Sequence, residues 1–291
     1  MKISKLLHDK EVTVSCELFP PKQGTELEKA KTVVREMAEL KPDFMSVTYG
    51  AGGTNSRFAA EIADEIQNGN GVTALAHLTC IAAERPQVRE TLESLRKMGI
   101  ENILALRGDL PAAEGVSLSS CYRHASDLMK EIRDFGGFCI GGACYPECHP
   151  EFKSFDEDLD SLKKKEENGC DFLTTQMFFD NDILYNFLYR LLRAGIRIPV
   201  LAGIMPVTNA KQIQRITALS GTLLPRRFRM IVDRFADDPA SMKQAGIAYA
   251  TEQIIDLLAN GVSHVHIYTM NRPDIAGSIL KNLSCILGKQ A

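Results

Sequence analysis

Eight short β-rich runs alternate with segments of helical period along nearly the whole chain, and this alternation restricts the fold more than any single motif. The runs are 12–19, 44–50, 72–80, 102–108, 138–146, 172–179, 198–206 and 264–270. Between them the spacing predicts helices over 26–40, 85–99, 155–169 and 183–195, several of which close on glycine, as helix C-termini favour. Each helix is long enough to return across a sheet. Eight such units in 291 residues match a (β/α)8 TIM barrel, which typically needs roughly 250 residues, better than an open doubly wound sheet with fewer strands. Residues 219–260 add helix before the last strand. No linker or low-complexity segment interrupts the pattern, so 1–291 reads as a single barrel domain.

Composition narrows the function classes. A hydrophobic fraction of 45% with 24% charged residues belongs to a folded globular protein and argues against disorder. With 34 Lys and Arg against 37 Asp and Glu, the net charge of −3 favours neither nucleic acid nor an anionic membrane as a partner. The short cluster Arg226, Arg227, Arg229 is interleaved with apolar residues and reads as the solvated face of an amphipathic helix. No segment approaches the roughly 18 apolar residues of a membrane span, and "MKISKLLHDKE" lacks the apolar stretch of a signal peptide, so a cytoplasmic location is expected. There the eight cysteines are expected to be reduced thiols.

In a barrel of this type the active site collects at the C-terminal ends of the strands. Polar residues cluster there: Glu17; Thr48 and Tyr49; His77 and Thr79; Arg107 and Asp109; Tyr145, Glu147 and His149; Gln176; and Tyr268, Asn271 and Arg272. In the first strand Val12, Val14, Cys16 and Leu18 alternate with Thr13, Ser15 and Glu17, so the polar set faces the barrel axis if the apolar set faces the helices. Pro20 and Pro21 stop that strand and stiffen its exit. Two readings of Glu17 stand side by side: a general acid in a partly desolvated mouth, or a structural carboxylate paired with an arginine.

The segment "ALRGDLP" puts Arg107, Gly108 and Asp109 directly after a strand. It serves either close approach to a phosphate-bearing ligand or an ordinary turn with a surface ion pair. The glycine-rich "YGAGGTNSR" (49–57) matches neither the Walker pattern nor GxGxxG. "CIGGACYPECHPE" gathers Cys144, Cys148 and His149 but has no CxxC pair, and no metal is expected. His77, inside "LAHLTC", is also compatible with a satisfied core histidine. Asp158, Ser161, Lys164 and Lys165 lie at helical spacings, either as a solvated face or as a cationic edge that holds a cofactor's phosphates or ribitol. Gln176 beside Met177, Phe178 and Phe179 suits a flat heterocycle, or the aromatics simply pack the core.

Taken in order, "ELFPPK", "FMSVTYGAGGT", "AHLTC", "ALRGDLP", "YPECHPE", "TTQMFFD", "GIMPVTNAKQ" and "YTMNR" resemble the short bacterial methylenetetrahydrofolate reductases over nearly the whole chain. The resemblance implies a barrel carrying noncovalent FAD. NADH or NADPH would reduce the flavin, and the flavin would reduce 5,10-methylenetetrahydrofolate to 5-methyltetrahydrofolate, with donor and folate using one site in turn. Position by position it makes Glu17 the general acid and Asp109 the carboxylate near flavin and pterin. It makes Gln176, Gln212 and Arg272 folate contacts, and Thr48 and Gln176 donor contacts. For FAD the matching positions are Tyr49, Ala51, His77, Arg107, Gly108, Asp109, Ala125, Tyr145, His149, Asp158, Ser161, Lys164 and Lys165. Two positions depart from the enterobacterial pattern: His124 replaces a tyrosine beside Ala125, and Ile216 replaces a phenylalanine that stacks on the donor. The resemblance also implies self-association, and no S-adenosylmethionine-binding regulatory domain. Rival readings are a flavin-binding subunit that works with an accessory electron-transfer protein and a flavin-free pterin-binding methyltransferase barrel.

Overall fold

The computed structural model describes residues 1–49, 56–109 and 118–288. Its eight strands are β1 (Thr13–Leu18), β2 (Phe44–Val47), β3 (Thr73–Thr79), β4 (Asn102–Leu106), β5 (Cys139–Cys144), β6 (Phe172–Thr175), β7 (Val200–Ile204) and β8 (His264–Tyr268). All pair in parallel, in sequence order, and β8 closes on β1. The helices are α1 (Ile3–Asp9), α2 (Leu27–Glu39), α3 (Ser56–Asp64), α4 (Arg85–Lys97), α5 (Ala125–Phe135), α6 (Phe155–Glu167), α7 (Asn181–Arg193), α8 (Ala210–Ser220), α9 (Arg226–Phe235), α10 (Pro239–Ala259) and α11 (Pro273–Asn282). The fold is therefore the (β/α)8 barrel that the alternation indicates, with α9 and α10 as the extra helices before the last strand.

Local chemistry starts many of these helices. Side chains of Ser154, Asp180, Asn209 and Asp238 accept from backbone N–H groups of the first turns of α6, α7, α8 and α10, groups that have no partner within the helix. Pro239 and Pro273 sit at the first turns of α10 and α11, where the missing N–H costs nothing.

Two apolar clusters follow from strand alternation. Val14, Cys16 and Leu18 pack outward with helix residues such as Val34 and Met37, as expected. Phe44, Leu75, Leu104, Cys139, Phe172 and Leu201 fill the inside, where Ile3, Leu6 and Leu7 of α1 join them. Helix α1 therefore stoppers the N-terminal end of the barrel, a role that the opening residues did not reveal. A third cluster, with Met177, Phe179, Val207, Ile213, Phe228 and Met242, lies beneath α8, α9 and α10.

The predicted strands run past the real ones, most of all at 172–179, where β6 ends at Thr175. Its pairing with β7 covers only Leu173↔Val200 and Thr174↔Leu201. Residues 177–179 stay apolar because Met177 and Phe179 enter the third cluster and Phe178 the outer one. The Arg226–Arg229 segment is the amphipathic helix expected, with Phe228 and Val232 buried and its arginines exposed. All eight cysteines are thiols rather than disulfides, six of them wholly or partly buried and Cys121 and Cys285 exposed.

Candidate active site at the barrel mouth

Glu17 ends β1 on the inner face, paired in register with Ser46 and Tyr268, and its residue is only 8% exposed. No arginine approaches it among the described residues. Imidazoles lie close instead, with His77 Nε2 at 3.6 Å and His266 Nε2 at 4.0 Å from its Oε2. The structure thus does not support the reading of Glu17 as an arginine-paired structural carboxylate. Burial pulls His77 down to about 4, against the opposing pull of Glu17, so this imidazole is neutral at pH 7. Its Nε2 has no hydrogen-bond partner although it is buried. An orphaned polar atom facing a carboxylate is costly in a merely structural site.

His266 is a residue that sequence reasoning overlooked. Its Nδ1 lies 2.7 Å from Ser15 Oγ and its Nε2 3.3 Å from Ser46 Oγ, and its ring stacks on Phe44 and meets Tyr268 edge-on. The signal was available, because period-two alternation puts His264, His266 and Tyr268 on one face of β8, as it does Thr13, Ser15 and Glu17 on β1. Tyr268 donates its hydroxyl to Thr175 O at 2.5 Å, and burial beside the Glu17 carboxylate pushes its phenol well above the ordinary range. Gly203 makes room for that ring, since a Cβ there would lie 2.7 Å from it and 2.4 Å from Thr175 O.

Around the rim, Thr48 gives its N–H to Leu18 O and half-buried Tyr49 packs on the outer core. Arg107 forks onto Glu151 at 2.5 and 2.6 Å, which is the ion-pair reading of "ALRGDLP". Gly108 has φ of +89°, a backbone conformation that a side chain would strain. Asp109 follows it, exposed, and its charge adds to burial in raising the Tyr145 phenol. Tyr145 and His149 meet as a T-shaped pair at 4.4 Å. The His149 N–H donates to Asp158, a buried carboxylate that burial holds above its ordinary value. On the same helix Lys165 turns inward and donates to Ala143 O at 2.6 Å, its ammonium lowered by burial, whereas Lys164 is exposed and Ser161 half-buried. The expected grouping therefore divides: Asp158 and Lys165 face inward, Ser161 is half-buried and Lys164 meets solvent. His124 is exposed at the N-cap of α5, directly before half-buried Ala125. Ala51, with most of the glycine-rich loop, lies outside the described residues.

Across the mouth, Gln176 accepts the Met177 N–H on its Oε1 at 3.0 Å, which orients the amide and leaves its NH2 free to donate. Gln212, Ile216, Thr269 and Arg272 line one cavity of about 180 Å³. Arg272 is clamped by Asp274 at 3.0 and 2.9 Å, and Lys243 of α10 reaches the same carboxylate at 2.6 Å. Those two cations hold the Asp274 carboxyl far below its usual range. Lys243 is a second residue missed from the sequence. Phe178 and Phe179 are core residues, Phe179 stacked on Phe228 at 5.3 Å. No group of three or more His, Cys, Asp or Glu side chains among the described residues is placed to hold a metal ion.

The residues present fit a flavin. The orphaned, buried His77 Nε2 offers a hydrogen bond to a ring edge, and the inward Asp158–Lys165 pair with Ser161 offers donors and acceptors to a polyol and phosphates.

Comparison with known proteins adds a second line. The family model for methylenetetrahydrofolate reductase matches residues 2–284. The 5,10-methylenetetrahydrofolate reductase of Pectobacterium carotovorum is 36% identical over 272 residues, 94% of this chain and 90% of the relative. That of Escherichia coli K12 is 34% identical over 273 residues, 94% and 91% of the two chains. Methylenetetrahydrofolate reductase (NADH) 1 of Arabidopsis thaliana is 34% identical over 98% of this chain, which spans 50% of that relative's length. Among solved structures, an uncharacterized Clostridium thermocellum protein described as binding two copies of 5-methyl-5,6,7,8-tetrahydrofolic acid shares the fold, with a TM-score of 0.62, 16% identity and 98% of each chain covered.

Proposed function

The chain belongs to the methylenetetrahydrofolate reductase family, and on that premise we propose that it reduces 5,10-methylenetetrahydrofolate to 5-methyltetrahydrofolate with electrons from NADH or NADPH passed through noncovalent FAD. The observation that carries this reading is Glu17, a buried carboxyl at the end of β1 that faces imidazoles and a phenol and, among the described residues, no arginine. Opening the methylene bridge of the folate requires a proton on the departing nitrogen, and Glu17 would give it. Neutral His77 and the Ser-bonded His266 flank that carboxyl, with their Nε2 atoms 3.6 and 4.0 Å from its Oε2.

Bound FAD supplies a carrier that accepts a hydride from one substrate and passes it to the next. Thr48, Tyr49, His77, Arg107, Gly108, Asp109, Ala125, Tyr145, His149, Asp158, Ser161, Lys164 and Lys165 would hold it, with Ala51 and His124 beside them by resemblance. Arg107 would exchange Glu151 for phosphate oxygens. Gln176 donates from its NH2 to the pterin edge, Gln212 lines the folate cavity, and Arg272 uses the N–H groups that Asp274 leaves free to take the carboxylate of the tail. The four-carbon branched side chain of Ile216 lines the same cavity without the stacking face of an aromatic, so donor binding relies on the other wall residues.

The same reading makes the chain one catalytic barrel domain, cytoplasmic and self-associating, that feeds methionine synthesis. No helix among the described residues is long and apolar enough to cross a membrane. The decisive experiment is anaerobic mixing of the purified protein with NADH and then NADPH, while the flavin absorbance is followed, and with folate afterwards. Bleaching by a nicotinamide and recovery with 5,10-methylenetetrahydrofolate are expected. A colourless protein that releases no flavin would overturn the reading in favour of flavin-free pterin chemistry.

A further inference from the structure

Strands β8 and β1 stop pairing at Tyr268 and Glu17, yet the two segments remain tied for two more residues, by side chains. Thr269 Oγ1 donates to the Glu17 carbonyl at 2.6 Å. Asn271 accepts the Phe19 N–H on Oδ1 at 2.8 Å and donates from Nδ2 to the Phe19 carbonyl at 3.0 Å. Its amide therefore presents to Phe19 the donor and acceptor that a neighbouring strand residue would present. Pro20 and Pro21 follow and have no N–H, so Phe19 offers the last backbone donor of this exit before Lys22.

Such a rung requires a turn, and Met270 and Asn271 both adopt the left-handed conformation, with φ of 53° and 56°. Asparagine tolerates that region, but a methionine there is uncommon and marks a conformation that the surroundings impose. The next residue is Arg272, the N-cap of α11, already clamped on Asp274. One residue thus joins the backbone exit of Glu17 to the backbone of Arg272.

We infer that Asn271 is a positioning residue for the proposed reaction, the side-chain rung that holds the Glu17 carboxyl at a constant separation from the Arg272 guanidinium. This inference uses the reading of Glu17 as proton donor and of Arg272 as the cation for the folate tail. The geometry explains why an amide serves here. Aspartate could accept from Phe19 N–H but could not donate to its carbonyl, alanine would keep the strained backbone with no bond, and glycine would relieve the strain with no bond.

The test compares Asn271→Gly, Asn271→Asp and Thr269→Val in the full-length protein. Hydrogen exchange at the Phe19 amide reads the rung without any chemistry, and Asn271→Gly is expected to speed it at least about tenfold. Stopped-flow then separates the two half-reactions. Asn271→Gly is expected to slow folate reduction about 10- to 100-fold while oxidation of the nicotinamide stays within about twofold, because a misplaced proton donor affects only the step that needs the proton. Asn271→Asp should fall between glycine and wild type, and the alkaline limb of the folate-step pH profile, where a proton donor is lost, should move in both. Equal slowing of both half-reactions, or unchanged exchange at Phe19, overturns the inference. If Glu17→Gln leaves folate reduction intact while Phe19 exchange rises in Asn271→Gly, the role given to Glu17 has failed and the rung stands. If Glu17→Gln abolishes the step and Asn271→Gly does not slow it, the positioning role alone has failed. Should Asn271→Gly fold poorly, Thr269→Val, which keeps the size of a cavity-lining side chain and removes its bond to the Glu17 carbonyl, is expected to slow the folate step severalfold, and no change in it counts against the inference.

Discussion

The two ends of this barrel are built from the same strands and the same inner faces, yet they carry opposite chemistry. At the N-terminal end the inner residues are Phe44, Leu75, Cys139 and Leu201, sealed by Ile3, Leu6 and Leu7. Further along the barrel, at the C-terminal end, stand Glu17, His77, Gln176 and Tyr268, with a buried imidazole nitrogen left without a partner. The closed end satisfies its groups and contributes stability. The open end keeps polar groups unsatisfied, which costs stability and leaves them available to a ligand.

The largest effect expected from breaking this contrast is at the open end. Glu17→Gln removes the proton but keeps the shape, and it should slow folate reduction by about 10²- to 10⁴-fold, roughly 3–5 kcal/mol in the barrier, with the melting temperature little changed. Single-turnover kinetics of each half-reaction checks it, and equal losses in both would remove the proposed role. Next comes His77, whose proton affinity is depressed by burial from 6.5 to about 4. Above pH 6.5 neither the folded nor the unfolded chain protonates this ring. As pH falls from 6.5 toward 4 the unfolded chain binds a proton that the folded chain refuses, so stability declines by up to about 3 kcal/mol through that window. Urea unfolding from pH 7.5 to 4 should show a shallower decline in His77→Gln than in wild type.

At the closed end Leu6→Ala should cost about 2–3 kcal/mol of stability, near the lower end for a buried leucine because a seven-residue helix can shift to fill the space. Turnover per folded molecule should stay unchanged, so a fall in it would mean that the stopper also shapes the mouth. The smallest effect is expected from Lys243→Ala, since a half-exposed ion pair contributes about 0–1 kcal/mol. A rise of about twofold in the folate KM, with kcat unaltered, would show that Lys243 tunes the Arg272–Asp274 clamp.

Parts of this contrast could be read from residues alone. The alternation of Val14, Cys16 and Leu18 with Ser15 and Glu17 correctly assigned outer and inner faces, because the period of a strand is a local property. Glu17 could be placed at a strand end for the same reason. The stopper helix could not, since "ISKLLHD" has no capping side chain and is too short to declare itself without the apolar opening it fills. The outer limits of β6 were misread because a run of apolar residues looks the same in a strand and under a helix layer. The Arg107 turn and the Lys164–Lys165 helix each left two readings, to which the structure adds that Arg107 forks onto Glu151 and that Lys165 reaches Ala143 O while Lys164 meets solvent.

By itself the sequence determined the eightfold alternation, the inner and outer faces of the strands and the family resemblance, all of which are written in local periods and short motifs. Only the tertiary structure decided what each polar side chain meets. His266 and Asn271 reach Ser15 and Phe19 from about 250 positions away, a closeness created solely by the closure of β8 onto β1. No local pattern encodes that meeting, because the partners become neighbours only once every strand between them has taken its place in the ring.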